Sequence, residues 1–374
     1  MPFTIIIHLV YMARVTVIIV AHNVENTIRS CLNSILAQTE QDLEVLVFNN
    51  GSTDNTCAVL HRYEQQSPRI TFIDNQQYQD SAIVKNNAIR IAKGEFLLFV
   101  EPEDQLEPDH IQYTLSWAHL TGNEMVLFGY TEYYTNPQSK ETNSYMHTPY
   151  LKVGDGKEAI FRNVLTAHKG ISLHPWQYLY KRDFLLKRNI FFEPSLAPYS
   201  YVAFSVKALY HTNGLAYNSQ SIYHHWRTSN TYSVNAGQSI KGRLATVQFV
   251  KDFLQKTNGI HRYKIEFNIF LLRFGYIPAV CEYLYSTQTC QHKDLNRYIK
   301  TGIKTDLEDM DLSMIDLKND VHRNKNTISA AQLRQMHRII TKRFQWLCLS
   351  YKLTYWMSRS RKPLGLDYIS SLGI

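Results

Sequence analysis

Three carboxylates fall within four residues at Glu101-Pro102-Glu103-Asp104, directly after the mostly apolar run 95–100. Oxygen ligands at that density suit a hard divalent cation, Mg2+ or Mn2+. The same residues also suit a solvated acidic turn ahead of a helix start at Glu107-Pro108-Asp109. A second polar cluster, Asn49-Asn50-Gly51-Ser52-Thr53-Asp54, follows the apolar run 43–48. Its glycine lets backbone approach a ligand closely. Asn50 can accept or donate a hydrogen bond there, or simply cap the turn. A third cluster, Ala21-His22-Asn23-Val24-Glu25, follows the run 15–20. The pair His224-His225 has no third ligand at helical spacing, so a zinc site is not expected.

Each cluster closes a strand. Residues 15–20, 43–48, 70–73 and 95–100 read as buried strands, and 26–36, 55–65 and 81–92 carry helical periodicity between them. That alternation predicts βαβ units and an α/β doubly wound sheet, mostly parallel and Rossmann-like. Ligands of such sheets sit at the carboxyl ends of the strands, where the polar clusters lie. Further along, 125–134 and 214–223 read as strands and 178–188 and 205–210 as helix. Beyond a Ser/Thr/Asn-rich stretch at 226–235, residues 240–256, 263–285 and 331–357 read as helices.

The 374 residues leave room for two domains, or three if one is small. We expect an extension at 1–12, an α/β domain at 13–225 with halves 13–110 and 111–225, and a helical region at 226–374. With 44% hydrophobic and 19% charged residues, wholesale disorder is excluded. The run 1–20 is broken by His8 and Arg14, so it reads as an extension leading into a strand rather than a membrane anchor. A formal charge of +8 favours anionic partners, but no nucleic-acid motif is present. Twenty-five Tyr and 17 Phe suit either sugar handling or an aromatic core. The five cysteines form no CxxC pair, which fits a reducing, cytoplasmic compartment.

The ordered motifs resemble the family 2 glycosyltransferases of the GT-A fold. The resemblance is carried by Asn23-Val24-Glu25, Ser34 through Gln38-Thr39, Gly51-Ser52-Thr53-Asp54, Lys85-Asn86, Ala92-Lys93-Gly94 and the acidic turn, all in register over about ninety residues. A second stretch, Trp176 to Asp183, resembles a later element of the family. The resemblance implies transfer of a sugar from a nucleotide-sugar donor to a saccharide or lipid-linked acceptor, in assembly of a bacterial surface polysaccharide or lipooligosaccharide. It implies donor contacts at Ala21, Asn23, Glu25, Asn50, Ser52, Lys85 and Pro102, and Mn2+ or Mg2+ held by Glu101, Glu103 and Asp104.

Three positions depart from the family pattern. Asn49-Asn50 stand where an Asp is usual, and Glu101-x-Glu103 replaces Asp-x-Asp. The stretch from Tyr199 to Phe204 has no carboxylate where inverting members place a Glu-Asp pair whose Asp serves as base. Glu193 and His174 are the candidate substitutes, although His174, beside Pro175, also suits a purely structural place. The alternative is a non-catalytic GT-A-like nucleotide-binding or assembly module.

Residues 337–362 mix Arg and Lys with Ile, Phe, Trp, Leu and Tyr, and read as a basic amphipathic helix. It suits an anionic membrane surface on the cytoplasmic side, or a docked helix with a solvated basic face. On a membrane, the chain should sediment with anionic vesicles at low salt and be released at high salt. Failure to sediment at low salt would remove the membrane role.

Overall fold

A computed structural model of the chain describes residues 14–135, 142–147, 156–166, 171–227 and 236–276. The expected extension at 1–12, the basic run 337–362 and the helix at 331–357 lie outside the described residues. The chain divides into two compact units, 1–233 and 234–374.

The first unit opens as the alternation predicts. Its elements are β1 (Val15–Ala21), α1 (Ile28–Leu36), β2 (Leu43–Asn50), α2 (Thr56–Gln66), β3 (Ile70–Asn75), α3 (Ser81–Ile91) and β4 (Phe96–Phe99). The strands run parallel in the order β3-β2-β1-β4. β1 is central and almost fully buried, which is why it is built of Val and Ile rather than alternating with polar residues. Between β1 and β4 the strand order reverses, and a crevice opens outside their carboxyl ends. Ile28, Leu32 and Ile35 recur at helical spacing on α1 and are fully buried.

Two of the motifs act as fasteners. Gln38 at the end of α1 donates to the Glu107 carbonyl at 2.7 Å and accepts from the Ile111 amide at 3.0 Å. It thereby ties α1 to the start of α4 (His110–Thr121). Gly94 lies against β1, where an added Cβ would fall 2.4 Å from the Thr16 amide nitrogen, so only glycine fits.

The second half adds β5 (Gln105–Leu106), α4, β6 (Met125–Thr135), β7 (Thr142–His147), α5 (Lys157–Leu165), β8 (Tyr178–Lys181), α6 (Arg182–Lys187), α7 (Ser200–His211) and β9 (Leu215–Arg227). β8 inserts antiparallel between β4 and β6, and β9 runs parallel to β6 and antiparallel to β5. The stretch 178–188, expected as one helix, is a strand followed by a short helix. Its Tyr-Leu-Tyr run is buried within the sheet, and a continuous apolar run carries no periodicity to separate strand from helix. Phe99 packs edge-on against Tyr180, Phe192 and Phe204 at centroid distances of 5.9, 5.5 and 5.8 Å. Part of the aromatic load is therefore core.

The second unit contains α8 (Ala236–Lys256) and α9 (Lys264–Phe270), the latter running into a π-turn at 271–276. Among the described residues no helix is long and apolar enough to cross a membrane.

One buried residue should report on acid stability. His110 at the start of α4 is 0% exposed and packs edge-on against Phe128 at 4.5 Å. Burial drives its pKa down to about 3, against about 6.5 in an unfolded chain. Between these values the unfolded state binds the extra proton, so stability must fall as pH falls from about 6.5 toward 3. His110→Phe should flatten that part of the curve, read as urea midpoints between pH 4 and 7. An unchanged slope would show that other groups dominate acid unfolding.

Candidate active site

The acidic turn sits at the carboxyl end of β4, beside the longer β1. The Asp104 amide donates to the Glu101 carbonyl at 3.0 Å and closes the turn, with Pro102 buried inside it. Asp104 is fully buried and accepts from three donors: Tyr223 Oη at 2.6 Å, His225 Nδ1 at 3.0 Å and the Trp226 amide at 2.9 Å. The turn is thus fastened to the end of β9. Asp104, expected among the metal ligands, has both carboxylate oxygens engaged by protein donors.

Glu101 and Glu103 differ from it and from each other. Burial pushes the Glu101 carboxyl up, but the charge and hydrogen bond of Lys85 Nζ, 3.1 Å away, outweigh it and leave the pKa lowered. Lys85 comes from α3, so this pair joins that helix to the turn. Glu103 has no ion pair among the described residues. Burial, then the charges of Glu101 and Asp104, raise its pKa to about 7. A partly exposed carboxylate crowded by two others is relieved by a divalent cation, and Glu101 with Glu103 is a donor set of the right hardness. Among the described residues no three His, Cys, Asp or Glu side chains converge on one point, so such a cation would need further oxygens from substrate and water.

The turns after β1 and β2 are laced to each other. Asn23, at φ 53°, donates its amide to Ser52 Oγ at 3.0 Å and accepts from the Thr53 amide at 2.7 Å. Glu25 accepts from the Asn55 amide at 2.9 Å and from Asn55 Nδ2 at 2.7 Å. The His22 ring lies 2.9 Å from the Asn50 carbonyl. Asn23, Glu25 and Ser52 therefore shape the rim at the end of β1, where Ala21 pairs in register with Asn49.

Asn50 faces the other way. Its Nδ2 donates to the Gln79 carbonyl at 2.8 Å and its Oδ1 accepts from the Gln79 amide at 3.1 Å. The side chain anchors the loop 76–80, and that loop crosses Gly51, where a Cβ would meet the Tyr78 nitrogen at 2.3 Å. Tyr78 is 54% exposed and sits edge-on to His22 at 5.0 Å. A carboxylate also stands beside this turn: Asp74 accepts from Asn49 Nδ2 at 2.7 Å. Tyr78 and Asp74 are absent from the expected set because the end of β3, which carries Asp74, and the β3–α3 connection, which carries Tyr78, have no recognisable motif.

An aromatic wall extends from the acidic turn. Tyr201, His174, Trp176 and His225 stack in series, at 4.5, 5.8 and 4.7 Å between centroids. Tyr130 packs edge-on to Trp176 at 4.8 Å. His174 keeps an edge open to solvent. The protein surrounding it, then the neighbouring His225, push its pKa down, although Glu101 opposes this. Glu193 stands apart, its carboxylate taking Lys207 Nζ at 2.7 Å. The structure thus brings Lys85, Glu101, Glu103 and His174 together, and leaves Glu193 engaged elsewhere.

Residues 16–192 match the model of glycosyl transferase family 2. The chain carries a family 2 glycosyltransferase domain. It is 26% identical over 283 residues to the putative glycosyltransferase EpsH of Bacillus subtilis (strain 168), covering 72% of this chain and 77% of that protein. It is 27% identical over 182 residues to an Escherichia coli enzyme, WfaP, named as a UDP-Glc:alpha-D-GlcNAc-diphosphoundecaprenol beta-1,3-glucosyltransferase; 48% of this chain and 70% of WfaP are covered. Among solved structures, S. aureus TarS 1–349 in complex with UDP-GlcNAc superposes with a TM-score of 0.50 at 18% identity, covering 77% of this chain and 90% of TarS 1–349. The likeness is one of fold: the domain has the GT-A architecture that its motifs imply.

Removal of one carboxylate tests the cation set. Glu103→Gln should weaken binding of a nucleoside diphosphate several-fold in Mn2+ and leave it unchanged in EDTA, as read by calorimetry. Equal affinity of the wild type with and without Mn2+ would exclude Glu101 and Glu103 as a cation site bridging to the nucleotide.

Proposed function

We propose that this chain transfers a sugar from a nucleotide-sugar to a saccharide or lipid-linked acceptor in assembly of a bacterial surface polysaccharide. The observation that carries the proposal is the Lys85–Glu101–Glu103 cluster at the reversal between β1 and β4, inside a family 2 domain. The nucleotide lies along the laced rim of Asn23, Glu25, Ser52 and the β2 turn, with the ring of Tyr78 at its edge. Asn50 acts indirectly, by holding the Tyr78 loop.

Glu101 and Glu103 would hold Mn2+ or Mg2+, which, when bound, neutralises the charge that builds on the departing diphosphate. Lys85 supplies a second, permanent positive charge at the same place, pinned by Glu101 rather than free to swing. The aromatic wall of Trp176 and its neighbours offers apolar faces for the acceptor sugar. The name of WfaP supports a uridine donor and a polyprenyl diphosphate-linked acceptor as the first pair to try. A lipid-linked acceptor places the domain peripherally at the cytoplasmic face of the membrane.

The test is release of nucleoside diphosphate from UDP-glucose, UDP-GlcNAc or GDP-mannose, with Mn2+ and a short-chain GlcNAc-diphosphoprenol acceptor. Turnover with one donor, lost in EDTA and reduced at least tenfold by Lys85→Ala, is expected. No turnover of any donor would overturn the proposed transfer in favour of a binding module.

A further inference from the structure

The stretch where the family's base is usual contributes Ser200 and Tyr201, neither a carboxylate, and Tyr201 is stacked on His174. Glu193 is neutralised by Lys207. His174 has no carboxylate hydrogen-bonded to its ring, and its affinity for a proton is lowered. Another imidazole nearby has the opposite surroundings. His225, near the end of strand β9, places Nδ1 3.1 and 3.0 Å from the two oxygens of Asp104. Asp104 is 0% exposed and is held in place by Tyr223 Oη and the Trp226 amide as well. A fixed, buried carboxylate behind Nδ1 sets the tautomer and ring plane, and leaves Nε2 with its lone pair.

Nε2 has no hydrogen bond among the described residues, and it is not sealed from solvent. The ring is 24% exposed, and one face is stacked on Trp176 at 4.7 Å. Every element around it contributes. From the β4 turn come Asp104 and Glu101; from β6, Glu132 and Tyr130; from the approach to β8, His174 and Trp176; from β9 itself, Tyr223. His225 thus joins the acidic turn, through Asp104, to the aromatic wall, through Trp176.

We infer that His225, oriented by Asp104, is the catalytic base that takes the proton of the acceptor hydroxyl; this rests on the transfer proposed above. The acceptor oxygen's lone pair forms a bond to the donor's anomeric carbon as the bond from that carbon to the diphosphate oxygen breaks. The electron pair of the broken bond leaves on the diphosphate. The hydroxyl proton passes to His225 Nε2, and the resulting imidazolium is stabilised by Asp104 until it loses that proton to water. A single displacement of this kind inverts the anomeric configuration. Asp104 is a positioning residue, since it acts through the ring.

The test uses the full chain with the donor and acceptor that turn over. His225→Asn keeps an amide donor for Asp104 but cannot take a proton. It should lower kcat by about 10²–10⁴-fold and leave UDP affinity within about twofold. Exogenous imidazole should restore part of the activity to His225→Gly. His224→Gln, one residue away and outside the machinery, should behave as wild type. An active wild type whose His225→Asn variant stays within threefold at every pH would overturn the base and leave the transferase standing. An inactive wild type would remove both. Independently of turnover, the imidazole 15N spectrum of the wild type should show neutral His225 protonated on Nδ1. Protonation on Nε2 instead would overturn the assignment even if no variant folds.

Discussion

A carboxylate wholly removed from water is tolerated only when donors surround it, and Asp104 meets that condition with a phenol, an imidazole and a backbone amide. All three come from one short stretch at the end of β9. Because the acid belongs to the β4 turn, its solvation inside the protein fastens the two halves of the domain at one point. The position of Glu101 and Glu103, and the lie of the Trp176 wall against Tyr223, follow from that attachment. Exchange of Asp104 for an apolar residue would free three donors, while loss of one donor would strand part of a buried charge. Either change reaches the cleft through the turn rather than through a direct contact.

The same logic governs the rim. Asn23, Glu25, Ser52, Thr53 and Asn55 hydrogen-bond across from the β1 turn to the β2 turn, so the two loops behave as one surface. Asn50 adds the β3–α3 loop to it by presenting its amide to the Gln79 backbone as a peptide group would. The departure from an Asp at this position has a structural meaning: a carboxylate could accept from the Gln79 amide but would face its carbonyl without a proton to donate.

How much is legible in the residues alone depends on how local the determinants are. β1 to β4, and the polar turns that follow them, are written in contiguous segments, so periodicity and motif order find them. β8 is missed as a strand because Tyr178-Leu179-Tyr180 is apolar throughout and its pairing partners are distant. The Asp104–His225 pair is invisible for the same reason, its members standing 121 positions apart. A signal does exist in the doublet His224-His225 after a predicted strand, but spacing along the chain only argues against a zinc site and cannot point to an acid 121 positions away. Asp104, grouped with its neighbours by type, has a different task because its side chain turns inward while those of Glu101 and Glu103 stay at the cleft.

The strand order also has a bearing on synthesis. β1, β2 and β3 pair through connections of a few tens of residues, so the rim assembles early as the chain leaves the ribosome. β4 waits for β8, and the acidic turn waits for Tyr223 and His225, far later in the chain. Until residue 226 has emerged, Asp104 has no donors and its turn no anchor. A truncated nascent domain can therefore present the laced rim while the acidic turn is still unanchored, and the two are fixed relative to each other only in the last steps of folding.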